Sequence, residues 1–206
     1  AFTMILQAEA TRRLRAVLFV DMVDSVRIMG LDEAGTVARW RELMAAVAAV
    51  DLPKFGGRRV KLQGDGMLAE FESTVAAVEC ALAVQARTIR SEAAVDAQRR
   101  IRLRMGAHVA DVFADEFDIY GDGVNLAARL RDLGGPDEIV VSAAVRDQIT
   151  DGLGVTIEDL GERRLKGVER AARGKSAVSG GPVTVSRPVV PVVAPSAGPT
   201  LASGGW

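Results

Sequence analysis

The chain has 206 residues, of which 49% are hydrophobic and only 4% aromatic, and its formal net charge at pH 7 is −1. This length allows a substantial core, and the near-neutral charge argues against nucleic-acid binding because it provides no attractive field for phosphates. A single cysteine, Cys80, excludes an internal disulfide, and a single histidine, His108, excludes a zinc site built from His and Cys.

Alternating strand-like and helix-like patterns predict a mixed α+β fold. Strands are indicated by short runs of β-branched and apolar residues, and helices by apolar residues that recur at three- and four-residue steps. In chain order the predicted elements are a strand at 15–23, a helix at 32–50, strands at 58–63 and 67–71, a helix from Ser73 or Thr74 to about Arg90, a strand at 101–112, a helix at 123–133, a strand at 139–141, then a small helix and a hairpin at 155–168. The first six follow the order βαββαβ, a ferredoxin-like core in which we expect an antiparallel sheet with helices packed on one face. The C-terminal small helix and hairpin are additions to that core.

Composition divides the chain into three predicted parts: an N-terminal extension at 1–11, a folded domain at 12–171 and a flexible tail at 172–206. The extension includes residues of the kind that a cloning remnant leaves. The tail contains most of the chain's seven prolines and many Gly, Ser and Val residues, a composition that neither propagates a helix nor closes a sheet ladder. We expect it to link the domain to a further C-terminal domain. Because no apolar run reaches the roughly 18 residues of a membrane span, we expect a cytoplasmic protein with no span in this chain.

Two aspartates require a chemical explanation. Asp21 interrupts an apolar strand, where an ionised carboxylate is costly unless a partner or a metal offsets the lost hydration. Asp65 lies in the tight turn 64–66, directly after another strand. In the predicted sheet the two central strands lie side by side, so both carboxylates reach one edge. We therefore expect them to bind divalent cations, which would in turn hold a polyphosphate.

Five segments together carry a family resemblance. They are FVDMV at 19–23, KLQGDGMLAEF at 61–71, RMGAH at 104–108, DIYGDGVNLAARL at 118–130 and LKG at 165–167. In this order and at this spacing they resemble the motifs of class III adenylate and guanylate cyclase catalytic domains. The resemblance implies conversion of a nucleoside triphosphate to its 3′,5′-cyclic monophosphate, with release of pyrophosphate, at sites shared by two subunits. It also implies that Asp21 and Asp65 bind two Mg²⁺ or Mn²⁺ ions, the arrangement of two-metal phosphoryl chemistry.

The resemblance assigns base recognition to Lys61 and Asp118. An ammonium donor and a carboxylate acceptor complement the N1 acceptor and N6 donors of adenine, whereas guanine presents the reversed pattern. The pair therefore favours ATP, since a wrong base would leave buried polar groups unpaired. Phe117, immediately before Asp118, and Ala110 occupy positions where the family often has glycine, and Asp24 adds a carboxylate near the metal strand.

The same resemblance assigns the residues that bind ribose and phosphate. Asn125 is expected to orient the ribose, and Arg129, four residues later on the same helix face, to stabilise the charge of the transition-state phosphate. Arg104 and Lys166 correspond to triphosphate-binding residues. In the family, the metal carboxylates come from one subunit and the base, ribose, transition-state and Lys166 contacts from the other. A monomer would then be inactive, and a two-fold homodimer would form two equivalent sites.

Each of these residues also has a structural interpretation. The turn at 64–66 is by itself typical of a hairpin, and Lys61 of a solvated strand. Asn125 and Arg129 fit the polar face of an amphipathic helix. Three other functions remain open on the same fold: a cyclase that accepts GTP, a sensor that binds nucleotide without turnover, and a dimerisation module without nucleotide affinity.

Overall fold

The structure, a computed structural model, describes residues 11–114, 118–149, 153–160 and 182–186. Its elements in chain order are strand β1 (Thr11–Met22), helices α1 (Ser25–Leu31) and α2 (Glu33–Ala46), a π-helical turn (Val47–Asp51), helix α3 (Leu52–Lys54), strands β2 (Gly57–Gln63) and β3 (Gly66–Phe71), helix α4 (Thr74–Ser91), strands β4 (Leu103–Ala114) and β5 (Ile119–Tyr120), helix α5 (Asp122–Leu133), strand β6 (Glu138–Val141), helix α6 (Ala143–Ile149), and strands β7 (Thr156–Asp159) and β8 (Val183–Ser186). The predicted mixed α+β fold, with helices packed on a sheet, is confirmed.

The strands form one sheet in the order β2-β3-β1-β4-β6-β8-β7, and β5 pairs with β4 beside this path. Strand β1 is central and pairs antiparallel with both β3 and β4. The expectation of a purely antiparallel sheet is wrong at one place, because β4 and β6 run parallel. Parallel neighbours need a crossover connection, and the chain makes it through β5 and α5.

The sheet has helices on both faces, not on one as predicted. Alternate residues of β1 point to opposite faces. Leu18 and Val20 belong to the main core, together with residues of α2, α4 and α6. Val17 and Phe19 point the other way, into a smaller core that α5 covers with Val124. Asp21 shares the parity of Phe19 and therefore lies on the α5 face.

The predicted flexible tail contains a strand of the sheet. Strand β8 lies between β6 and β7, and its residues Val183 and Val185 are each 1% exposed. The tail prediction is therefore wrong for residues 183–186, where alternating valines supply a buried face and Pro182 precedes the ladder without interrupting it. Strand β7 lies in the predicted C-terminal hairpin region, 155–168, but its partner is β8, which lies beyond that region; residues 161–168 lie outside the described residues.

Helix α5 packs against β4 through backbone atoms. A Cβ placed on Gly106 would overlap the Ala127 carbonyl oxygen and the Arg131 backbone nitrogen. The absence of a side chain at Gly106 thus allows the helix to lie directly on the strand. No helix in the described part of the chain combines the length and the apolar character needed to cross a membrane.

Replacing Gly106 by Ala should lower the free energy of unfolding by about 2–4 kcal/mol, because rigid backbone atoms cannot move aside as a flexible side chain can. Urea denaturation followed by circular dichroism measures this loss. Gly30→Ala is the matched control: Gly30 is exposed in α1 with nothing within 4 Å of an added Cβ, so Ala should preserve or slightly raise stability. Equal unfolding midpoints for Gly106→Ala and the unmodified chain would contradict this account of the packing.

Candidate active site

Asp21 and Asp65 lie next to each other at one edge of the sheet. In the register of β1 with β3, Asp21 is opposite Gly66, and the Met22 amide donates a hydrogen bond to the Asp65 carbonyl oxygen at 3.1 Å. A Cβ on Gly66 would be 3.4 Å from Asp21 Oδ1. The glycine therefore keeps open the space beside the Asp21 carboxylate.

The turn that carries Asp65 is fixed from the main core. Gly64 has a φ of 60°, a left-handed conformation that glycine adopts without steric cost. The indole Nε1 of Trp40, a buried residue of α2, donates to the Gly64 carbonyl oxygen at 3.2 Å. This contact holds the β2–β3 turn against the helix layer and so sets the position of Asp65 relative to β1.

Two arginines offset the charge of Asp21, which is only 7% exposed. Arg104 lies opposite Asp21 in the register of β1 with β4, and its Nε and Nη2 atoms are 2.8 and 2.7 Å from Asp21 Oδ2. Arg131 Nη1 lies 3.6 Å from Asp21 Oδ1. Burial of Asp21 therefore does not by itself require a metal, since ion pairs can replace the lost hydration.

The donor chemistry at this edge nevertheless fits Mg²⁺ or Mn²⁺. Both ions prefer oxygen ligands, and carboxylates carried by two adjacent backbone positions can supply them. Within the described residues no cluster of three or more His, Cys, Asp or Glu side chains could enclose a metal ion. A cation bound by Asp21 and Asp65 would therefore need further oxygen ligands, which phosphate groups and water can provide.

Lys61 and Asp118 form an ion pair, although 57 positions separate them. Lys61 Nζ donates to Asp118 Oδ1 at 3.1 Å and Oδ2 at 2.8 Å, and Oδ1 also accepts from the Ile119 amide at 2.8 Å. Lys61 is thus held in place by a side chain on a distant segment, so it is not simply a solvated strand lysine. The two residues that the resemblance assigns to base recognition lie together.

Asn125 and Arg129 lie one turn apart on α5. Asn125 is exposed and Arg129 is half-buried. In the part of the chain that the structure describes, neither side chain has a hydrogen-bonding or ionic partner. Their polar groups are therefore available to a ligand or to another subunit.

Arg131 is a site residue that the sequence reasoning missed. It follows Arg129 by two positions, a rotation of roughly 200° around the helix. Arg131 therefore points to the sheet and to Asp21, whereas Arg129 points away from the sheet. The signal that could have identified it is this rotation: if Arg129 faces outward, a cation two residues later must meet the strands.

Four further positions that the sequence singled out can be compared with the structure. Lys166 and Phe117 lie outside the described residues. Ala110 is accommodated by Gly123, since a Cβ on that glycine would overlap the Ala110 methyl group. Asp24 is largely exposed and its carboxylate lies 3.8 Å from Arg27, so it does not join the arginine contacts of Asp21.

His108 links two elements of the fold. Its Nδ1 lies 2.8 Å from Ser142 Oγ, and desolvation by burial lowers the pKa of the imidazole to about 4. The ring is therefore neutral at pH 7 and connects β4 to the start of α6.

Stability should fall as the pH drops from 7 to 5, with His108 contributing about 2 kcal/mol of the loss. Because the folded pKa is depressed, the unfolded chain binds a proton between pH 6.5 and 4 that the folded chain excludes. Urea denaturation at both pH values should show a smaller loss for His108→Gln. As this is the chain's single histidine, its ring proton resonance can be titrated without ambiguity, and a midpoint near 6.5 would contradict the assignment.

The family model of the adenylate and guanylate cyclase catalytic domain matches residues 10–180. The chain belongs to this family. The cyclase domain is 35% identical over 163 residues to "Putative adenylate cyclase 3" of Rhizobium meliloti strain 1021, an alignment that covers 77% of this chain and 27% of that protein. It is also 33% identical over 112 residues to an uncharacterised protein of Mycobacterium tuberculosis strain H37Rv, covering 53% of this chain and 36% of that protein. The chain thus spans only about a third of the length of these relatives, or less.

Solved structures show the same architecture. A crystal structure named adenylate/guanylate cyclase/hydrolase, from Silicibacter pomeroyi, matches with a TM-score of 0.75 at 32% identity and covers 86% of this chain and 98% of that chain. The adenylyl cyclase CyaB from P. aeruginosa matches at 0.62 with 22% identity, covering 85% and 93%. The guanylyl cyclase Cya2 matches at 0.65 with 18% identity, covering 86% and 92%. At these two lower identities the likeness concerns the fold alone, and the fold hosts enzymes named for either base.

Proposed function

We propose that this cyclase domain converts ATP to 3′,5′-cyclic AMP and pyrophosphate at two equivalent sites formed between two copies of the chain. Each site would use two divalent cations, Mg²⁺ or Mn²⁺, as enzymes of this family generally do. The observation that carries the choice of ATP is the Lys61–Asp118 ion pair.

The Lys61–Asp118 pair supports adenine recognition through its remaining hydrogen-bonding capacity. An ammonium has three donors, so its contact with the Asp118 carboxylate leaves Lys61 able to donate to a base as well. Lys61 can donate to adenine N1 while Asp118 accepts from the N6 amino group. Because the two side chains orient each other, little side-chain entropy remains to be lost when the base binds.

Asp21 and Asp65, at the adjoining ends of β1 and β3, would form the part of the site that binds the triphosphate. Asp21 and Asp65 would hold the cations, which lower the pKa of the ribose 3′-hydroxyl and neutralise charge on the triphosphate. Arg104 would bind a phosphate oxygen, for which its planar guanidinium is suited. Lys166, by family resemblance, would contribute a second cationic contact.

The orientation of α5 supports a site shared between two subunits. Arg131 of this helix contacts the Asp21 of its own chain, whereas Asn125 and Arg129 project from another side of the helix. Asn125 and Arg129 therefore do not face Asp21 of their own chain as Arg131 does. In a two-fold dimer they would instead serve the Asp21 and Asp65 of the partner, with Asn125 orienting the ribose and Arg129 stabilising the transition state.

Incubation with Mn²⁺ and either ATP or GTP should yield cyclic AMP in preference to cyclic GMP, measured by product chromatography.

Lys61→Met should lower kcat/KM for ATP by about 100-fold and reduce the ATP preference, because it removes a donor that would contact the base. Arg59→Met, which removes an exposed cation of the same strand, is the matched control and should retain the preference. Saturable ATP binding without product would favour a non-catalytic sensor, and preferred turnover of GTP would contradict the base assignment.

Two inactive variants should restore activity when mixed. Asp65→Ala and Arg129→Ala each damage both sites of a homodimer, but their heterodimer has one complete site, so an equal mixture should reach about one quarter of the wild-type rate. Cyclic AMP production after subunit exchange measures this recovery. A mixture of Asp65→Ala with Asp21→Asn should stay inactive, because both residues belong to the same half-site. If the first mixture formed dimers by light scattering and yet stayed inactive, the shared-site proposal would be rejected.

A further inference from the structure

Arg131 lies between two carboxylates and an aromatic ring. Its Nη1 is 3.6 Å from Asp21 Oδ1, while its Nε and Nη2 donate to Asp132 Oδ1 at 3.1 and 2.8 Å. The guanidinium carbon is 5.7 Å from the centre of the Phe19 ring, a cation–π distance. The side chain is only 20% exposed. Arg131 is therefore a positioned cation and not a mobile surface arginine.

Packing explains this position. The Arg131 backbone lies against Gly106, and Gly106 is opposite Phe19 in the register of β1 with β4. From that contact the Arg131 side chain extends over the Phe19 ring towards Asp21, two residues farther along β1. The same contact thus fixes the arginine beside the carboxylate.

We propose that Arg131 is a built-in counter-cation of Asp21 that a divalent metal ion must displace. The inference rests on the proposed function, which makes Asp21 a metal ligand. Each Asp21 oxygen has one arginine beside it, Arg104 at Oδ2 and Arg131 at Oδ1. An incoming cation therefore meets two positive charges and a carboxylate whose oxygens both have partners, which lowers its affinity.

Arg131 is the arginine that can release Asp21 at the smaller cost. Its contact with Asp132, in which two N–H groups donate to Oδ1, already exists, and Asp132 is 52% exposed. When a cation takes Oδ1, Arg131 keeps that second carboxylate, so no buried charge is left unpaired. For Arg104 the described residues provide no carboxylate other than Asp21. A nucleotide would offer Arg104 a phosphate instead.

This arrangement makes metal binding depend on nucleotide binding. Without nucleotide both arginines hold Asp21 and the cation binds weakly. The triphosphate adds negative charge and draws Arg104 away, which favours entry of the cation, and by linkage the cation favours the nucleotide to the same degree. Arg104 thus couples the two ligands, whereas Arg131 sets how tightly the cation binds.

The test is Mn²⁺ binding to the nucleotide-free full chain, measured by the electron paramagnetic resonance signal of free Mn²⁺. Arg131→Gln should bind Mn²⁺ about tenfold more tightly than the unmodified chain, because one repelling charge is gone. Arg131→Met, which keeps an apolar stem over Phe19, should do the same, and Arg131→Lys should remain close to the unmodified affinity. Asp132→Asn should weaken binding, because Arg131 then has only Asp21 as its carboxylate.

Two controls locate the effect. Arg146→Gln removes a similarly buried arginine, 22% exposed, that also pairs with the next residue, Asp147, and it should leave Mn²⁺ affinity unchanged. Adding Asp21→Asn to Arg131→Gln should abolish the gain.

Four outcomes decide this inference, and the last distinguishes it from the proposed function. If no Arg131 variant tightens Mn²⁺ binding, or if the gain survives Asp21→Asn, the counter-cation role is overturned even where cyclic AMP is produced. Absence of measurable Mn²⁺ binding in every variant overturns it as well. A gain that depends on Asp21 in a protein that makes no cyclic product upholds the role of Arg131 and rejects the catalytic proposal.

Discussion

The close packing of α5 on β4 at Gly106 is the constraint on which the candidate site depends. A helix that lies with its backbone on a strand can neither rotate nor slide without steric overlap. Because the contact involves Arg131 directly, it fixes the residue of α5 that faces Asp21. The same contact leaves Asn125 and Arg129 on the outer side of the helix. Because Gly106 has no side chain, α5 can pack in the one orientation that directs Arg131 to Asp21 and leaves Asn125 and Arg129 on the outer side.

Electrostatics links this packing to chemistry. A buried carboxylate such as Asp21 is tolerated when cationic groups replace its hydration, and two arginines do so here. Those ion pairs are compatible with a metal site only if the arginines have other partners to move to. Asp132 is such a partner for Arg131, and a phosphate group would be one for Arg104. The arrangement thus offsets the charge of Asp21 without cations and would still permit a cation to bind.

Sequence patterns predicted well those features that depend on local periodicity. The strand that carries Asp21, the turn that carries Asp65 and the helix that carries Asn125 and Arg129 all follow from residue alternation, turn residues and helical spacing. Strand direction has no such local signal, so the parallel pairing of β4 with β6 was not foreseen. Strand β8 was missed because a proline-rich composition outweighed a short alternation of valines whose partners, β6 and β7, lie at least 24 positions earlier in the chain.

The site contacts were also predictable to different degrees, because local sequence patterns do not indicate contacts between residues far apart in the chain. Lys61 and Asp118 were assigned to one base-recognition pair through family resemblance, since a separation of 57 positions gives no local indication of the contact that the structure shows. The role of Arg131 could not be reached in that way. It depends on the approach of α5 to β4, which places a helix side chain beside a carboxylate 110 positions away.

Helix α5 has candidate functional residues on more than one side, and this would have a consequence for a two-fold dimer. If Arg131 serves the carboxylate edge of its own chain while Asn125 and Arg129 serve the edge of the partner, then each α5 contributes to both sites. A rigid helix cannot move its outward residues without also moving Arg131. If nucleotide binding to Arg129 at one site displaced α5 against its packing on Gly106, the displacement would alter the Arg131–Asp21 contact, and with it cation affinity, at the other site. In such a dimer the coupling between sites needs no separate regulatory element, because the helix packed against Gly106 already connects them.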